Sequence, residues 1–96
     1  MARTAIHPGE ILADELAELK MTAAELAREI GVPANRITQI TAGKRGISAD
    51  TALRIGKWFG TGPKIWMNLQ QMYDLDVVSQ QLTETLKNIK TRETAS

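Results

Sequence analysis

The 96-residue sequence predicts an all-α domain, and three observations carry that prediction. Apolar residues return at intervals of three and four in successive short segments. No stretch alternates convincingly with period two, and Gly, Pro, Ser and Thr stand where one segment gives way to the next. The length suits one core rather than two ordinary domains.

In "HPGEILADELAELK", His7 or a neighbour caps a first helix and Pro8 occupies its first turn. Glu10 lies near the positive helix end, and Leu12, Leu16 and Leu19 form the apolar stripe. Thr22 and Glu25 in "TAAE" fit a capping box, so a second helix is expected from Ala23 to Ile30. Gly31 ends it. Pro33 opens a third helix with Ile37 and Ile40 on one side. In the loop "AGKRGIS", Gly43 suits a left-handed helix terminus and Ser48 the next cap. A fourth helix is expected from about Ala49 to Phe59, with Ala52, Ile55, Gly56 and Phe59 buried, ending at "GTGP". A fifth, from Pro63 to about Leu75, carries Ile65, Trp66, Leu69, Met72 and Tyr73, which are expected to complete the core. Val78, Leu82, Leu86 and Ile89 permit one further helix, and the last six or so residues are expected to fray. Residues 1–76 are thus read as the folded domain, and 77–96 as a C-terminal extension, partly helical and frayed at its end.

The stretch "ELAREIGVPANRITQI" has helical periodicity yet contains Gly31 and Pro33, which in a helix interior cost about 1 and about 3 kcal/mol. Two short helices joined by a glycine turn, with small Ala27 where they approach, resolve the conflict: the segment is a helix-turn-helix. Leu26, Ile30, Val32, Ile37 and Ile40 then face inward, and Ala34, Asn35, Arg36, Thr38, Gln39 and Thr41 face outward. Arg grips guanine, and Asn or Gln grips adenine, through paired bonds in the major groove. Base contacts are therefore expected from Asn35, Arg36, Thr38 and Gln39. Phosphate contacts are expected from Thr22, with the free amides at the start of the second helix, and from Lys44 and Arg45 on the glycine-flanked loop.

The formal net charge of +1 conceals an acidic segment followed by a basic one. From Glu10 to Ala27 the acids are Glu10, Asp14, Glu15, Glu18 and Glu25 against Lys20 alone. From Arg28 to Lys57 the bases are Arg28, Arg36, Lys44, Arg45, Arg54 and Lys57 against Glu29 and Asp50. Glu10, Asp14 and Glu18 recur every four residues and form one negative edge. With no cysteine and a single histidine, the chain offers neither a disulfide framework nor an imidazole or thiolate metal site. His7 is read as a cap or surface residue. Neither "GxxxxGK[ST]" nor "HExxH" occurs, and "GKRGIS" lacks the upstream glycine of a phosphate-binding loop. No catalytic residue, metal or cofactor is expected, and the chain is not read as an enzyme. No apolar run approaches the roughly 18 residues of a membrane span, and no signal stretch opens the chain, so a cytoplasmic setting is expected.

The runs "HPGEIL" and "ELAREIGVPANRITQITAGKRGISADTALRIGKWFGTGPKIWMNLQQMYDL" resemble the HigA (VapI-like) antitoxin branch of the phage-repressor-type (XRE/Cro-CI) helix-turn-helix family. The likeness spans His7 to about Leu75, and "GKR.IS..TA", "FG" and "W.NLQ...DL" are its discriminating parts. The resemblance implies a five-helix lambda-repressor-like DNA-binding domain, usually a homodimer, that binds an inverted-repeat operator and represses its own operon. It also implies a partner, a small ribonuclease toxin of the RelE/HigB kind. Carried onto this chain, Thr22, Asn35, Arg36, Thr38 and Gln39 fall in the DNA-facing part, and Lys44 and Arg45 in the backbone-contacting loop. The acidic edge of Glu10, Asp14 and Glu18 is the candidate surface for a basic toxin. The second helix opens with "TAAE" where phage repressors commonly have glutamine, and the tail after Leu75 lies outside the shared pattern. The alternative is a stand-alone repressor of phage or metabolic type without a toxin.

Overall fold

A computed structural model describes residues 4–92, which form six helices and no strand. In order they are α1 (Pro8–Glu18), α2 (Ala23–Ile30), α3 (Ala34–Thr41), α4 (Ala49–Phe59), α5 (Lys64–Gln81) and α6 (Thr83–Lys87). Local chemistry sets most of their ends. His7 is extended, its Nδ1 accepts the Gly9 amide at 2.8 Å, and the Glu10 carboxylate accepts the His7 amide at 3.2 Å. The Glu25 amide likewise donates to Thr22 Oγ1 at 3.0 Å, and the Thr22 amide donates to the Glu25 carboxylate at 2.8 Å. Each reciprocal pair satisfies donors that a helix start leaves over. α2 stops because Gly31 adopts the left-handed conformation (φ 73°), which costs glycine nothing sterically.

The core draws one to three side chains from each of α1 to α5. Leu12 and Leu16 come from α1, Leu26, Ala27 and Ile30 from α2, and Ile37 and Ile40 from α3. Ala52 and Ile55 of α4, Trp66 of α5 and Ile47 of the loop before α4 close it. Full burial of a residue such as Ile37 contributes about 1.5 to 3 kcal/mol. The start of α1 runs against the end of α3 so closely that a Cβ on Gly9 would overlap the Ile40 carbonyl. Backbone on both sides leaves nothing flexible to yield. The neighbouring His7 is also buried, its ring edge-on to Tyr73 with centroids 4.8 Å apart.

Several expectations need correction. α5 does not end near Leu75 but continues to Gln81, so the point between residues 76 and 77 lies inside one helix. Just beyond its end the Thr83 hydroxyl donates back to the carbonyls of Ser79 and Gln80, both at 3.1 Å. The expected apolar set of α5 is not wholly internal either. Trp66 is buried and Leu69 and Tyr73 are half-buried, while Ile65 and Met72 are each 50% exposed. Apolar residues surround more of α5 than four short helices can cover. Val32 and Phe59 are half-buried rather than inside, and Leu19, expected on the apolar stripe of α1, caps that helix and is 49% exposed. From Val78 to Arg92 every described residue is exposed, and the end expected to fray falls largely on residues 93–96, outside the described ones.

Candidate nucleic-acid interface

α2 and α3 meet through the Gly31–Val32–Pro33 turn, where the Val32 amide donates to the Ala27 carbonyl at 3.0 Å. Arg54 of α4 reaches under this turn and donates from Nη1 to the carbonyls of Ile30, at 2.8 Å, and Gly31, at 3.3 Å. A cation thus satisfies the negative end of α2. Ile37 and Ile40 bury one side of α3, and this alone fixes which side faces outward.

The four expected base readers are all on α3 but differ in freedom. Asn35 and Thr38 are exposed, and Gln39 and Arg36 are half-buried. The Thr38 hydroxyl donates to the Asn35 carbonyl at 3.3 Å, and the Thr41 hydroxyl to the Thr38 carbonyl at 3.1 Å. Arg36 is not free: its Nη1 lies 2.8 Å from Asp50 Oδ1, across the gap between α3 and α4. The same oxygen accepts from Arg54 Nε at 2.8 Å. The Asp50 carboxyl is held below its ordinary pKa, first by the Arg54 hydrogen bond and also by Arg36.

The expected phosphate anchors lie on either side of this face. Lys44 and Arg45 are exposed on the loop after α3, where the Lys44 amide donates to the Gln39 carbonyl at 2.8 Å. Downstream, buried Ile47 donates its amide to Gln70 Oε1 at 2.7 Å, and Gln70 Nε2 donates to Asp74 at 2.9 Å. The basic loop is therefore tethered to α5. Arg45 shares a shallow depression with Arg36, Ser48 and Asp50. Thr22 stands at the far end of α2, about 12 Å of helix from the turn. The picture of open amides there needs amending, because the capping box engages two of them and sets the Glu25 carboxylate beside the helix start. That carboxyl is held below its ordinary pKa chiefly by the Thr22 backbone hydrogen bond, then by the Thr22 hydroxyl. The Thr22 oxygen accepts the Glu25 amide in this arrangement.

On α1, Glu10, Asp14 and Glu18 are all exposed, Glu10 also serving the cap of its helix. They lie on a different helix from the basic loop and the α3 face. Sequence reasoning missed Asp50, Arg54 and Gln70 as parts of the interface. The i,i+4 spacing of Asp50 and Arg54 was visible as a helical ion pair, but its reach to Arg36 and to the turn was not.

A helix-turn-helix family profile matches residues 12–66. Virulence-associated protein I of Dichelobacter nodosus is 46% identical over 77 residues, covering 79% of this chain and 71% of that protein. Among solved structures, an addiction module antidote protein of the HigA family from Coxiella burnetii is 46% identical with a TM-score of 0.90, over 95% of this chain and all of that one. The Pseudomonas aeruginosa antitoxin HigA, solved with the higBA promoter, is 40% identical with a TM-score of 0.90, over 94% of this chain and all of that one. With the turn at Gly31, the outward α3 and these likenesses together, the chain belongs to the XRE-type helix-turn-helix family and groups there with HigA antitoxins.

Proposed function

We propose that this protein is a cytoplasmic antitoxin that binds an inverted-repeat operator as a homodimer, represses its own toxin–antitoxin operon, and neutralises a small basic ribonuclease toxin of the RelE/HigB kind. The observation that carries the reading is the polar outer face of α3, bordered by Lys44 and Arg45, on a fold that a similar HigA uses with promoter DNA. In a dimer, two copies of α3 enter successive major grooves about 34 Å apart. Asn35, Arg36, Thr38 and Gln39 meet base edges, and Thr22, Lys44 and Arg45 meet phosphates and set the register.

Residues 1–76 carry the DNA-reading function and 77–96 assist assembly. The uncovered apolar residues Val78, Leu82, Leu86 and Ile89 are the reason to assign the dimer contact to the end of α5 and to α6. Glu10, Asp14 and Glu18 offer an exposed negative edge on a helix other than the DNA-reading one, suited to a basic partner that itself grips RNA.

The test is a gel shift with the DNA directly upstream of the gene, run with and without the product of the neighbouring reading frame. The protein should shift that duplex in preference to a scrambled one and co-purify with the neighbour. Absence of preference rejects the operator reading, and absence of co-purification rejects the toxin reading. Replacing Glu10, Asp14 and Glu18 by lysine should abolish co-purification and spare the shift. If the neighbour is still captured, the acidic edge is not its contact.

A further inference from the structure

We propose that Asp50 and Arg54, neither of them on the recognition helix, are positioning residues that hold Arg36 in the orientation from which it reads a base. The inference rests on the reading of Arg36 as a base contact and extends it to residues behind that contact. A continuous chain of hydrogen bonds carries it. The Ile30 and Gly31 carbonyls at the turn hold Arg54 Nη1, Arg54 Nε holds Asp50 Oδ1, and the same oxygen holds Arg36 Nη1. Each link between charged side chains is 2.8 Å. Asp50 is itself seated on helical backbone, the second residue of α4 behind the Ser48 cap.

A free arginine on a helix surface samples many rotamers, and a paired grip on a base edge requires one. Anchoring one nitrogen of Arg36 removes most of that freedom before DNA arrives. The cost to reading is small, because guanidinium has five N–H donors and this bond uses one. Charge is preserved as well: one carboxylate between two guanidinium groups leaves the cluster positive towards phosphate. The alternative use, support of the fold, is weak here, since Arg36 and Asp50 are 30% and 59% exposed and exposed ion pairs contribute little stability.

The experiment compares full-length wild type with Asp50→Asn, Arg36→Ala and the double variant. Each is titrated against the upstream promoter duplex and a scrambled duplex of equal composition, with a melting curve for each protein. Asparagine keeps the shape and removes the charge that aligns both arginines. The promoter-to-scrambled affinity ratio should fall about tenfold in Asp50→Asn, through loss of an oriented base contact. Binding to the scrambled duplex should be unchanged or tighter, and the melting temperature nearly unchanged. The double variant should discriminate no worse than Arg36→Ala alone, because both lesions remove one contact.

If Asp50→Asn keeps or raises the ratio while Arg36→Ala lowers it, the positioning role is wrong and the base-reading role stands. If Arg36→Ala also leaves the ratio untouched, Arg36 is no reader and both fall. A parallel loss on both duplexes with a lowered melting temperature makes the network structural and overturns the inference.

Discussion

The two ends of α5 present similar residues to opposite fates. Near its start Trp66 is buried, its ring 5.6 Å from Phe59 and its indole N–H bonded to Thr61 Oγ1 at 3.2 Å; nearby, Gln70 ties the helix to the loop that carries Lys44 and Arg45. Near its end Val78 and Leu82 are just as apolar, yet among the described residues they and the Leu86 and Ile89 that follow are 39% to 63% exposed. Apolar spacing therefore says that a face will be covered but not by which molecule. In the first half the covering surface is the chain's own bundle. For the second, a second copy is the cover we propose.

The sharpest way to separate the two halves is to truncate one side chain in each. Trp66→Ala should cost about 3 to 5 kcal/mol and lower the melting temperature by more than about 10 °C, whatever the protein concentration. A loss under about 1 kcal/mol would show that the first half is not core. Replacing both Leu82 and Leu86 by serine should halve the solution mass measured by sedimentation and weaken promoter binding, leaving the bundle folded by circular dichroism. An unchanged mass would remove this end of the chain from the dimer contact. Gln70→Ala leaves the Ile47 amide without its acceptor and should cost about 1 kcal/mol. Hydrogen exchange should quicken at Ile47 first, and equal protection in the variant would show that the tether to α5 is idle.

The smallest effect is set by pH. Because the Glu25 and Asp50 carboxyls lie below their ordinary pKa in the folded state, their stabilisation is present above the ordinary carboxylate range. It is lost as the pH falls through the folded-state values. Glu25→Gln should accordingly melt below wild type at neutral pH, and the gap should close in acid. A Glu25→Gln gap that persists in acid would show that the cap does not act through charge.

Helix starts and the turn were legible because their causes lie within a few residues. Thr22 and Glu25 satisfy each other three positions apart, and the left-handed turn at Gly31 needs no distant partner. The outward set on α3 was legible too, since Ile37 and Ile40 bury the opposite side. What the pattern could not reveal was that Arg36 meets Asp50, fourteen residues away, or that Gln70 supports the amide of Ile47. The end of α5 was misjudged for a related reason. Nothing in the apolar pattern between Leu75 and Val78 marks an end, and the helix runs on through exposed residues to Gln81.

By itself the sequence determined the helical class, the break at Gly31 and Pro33, and which residues α3 can show to a partner. All three follow from forces acting over one or two turns of chain: steric limits on φ, capping hydrogen bonds, and the burial of apolar residues at helical intervals. Only the tertiary structure decided that α4 grips Arg36 through Asp50, that Arg54 closes the turn, and that the end of α5 stays uncovered. Those outcomes depend on how far apart the helix axes come to rest, and that distance is set by the whole packed core rather than by any one segment.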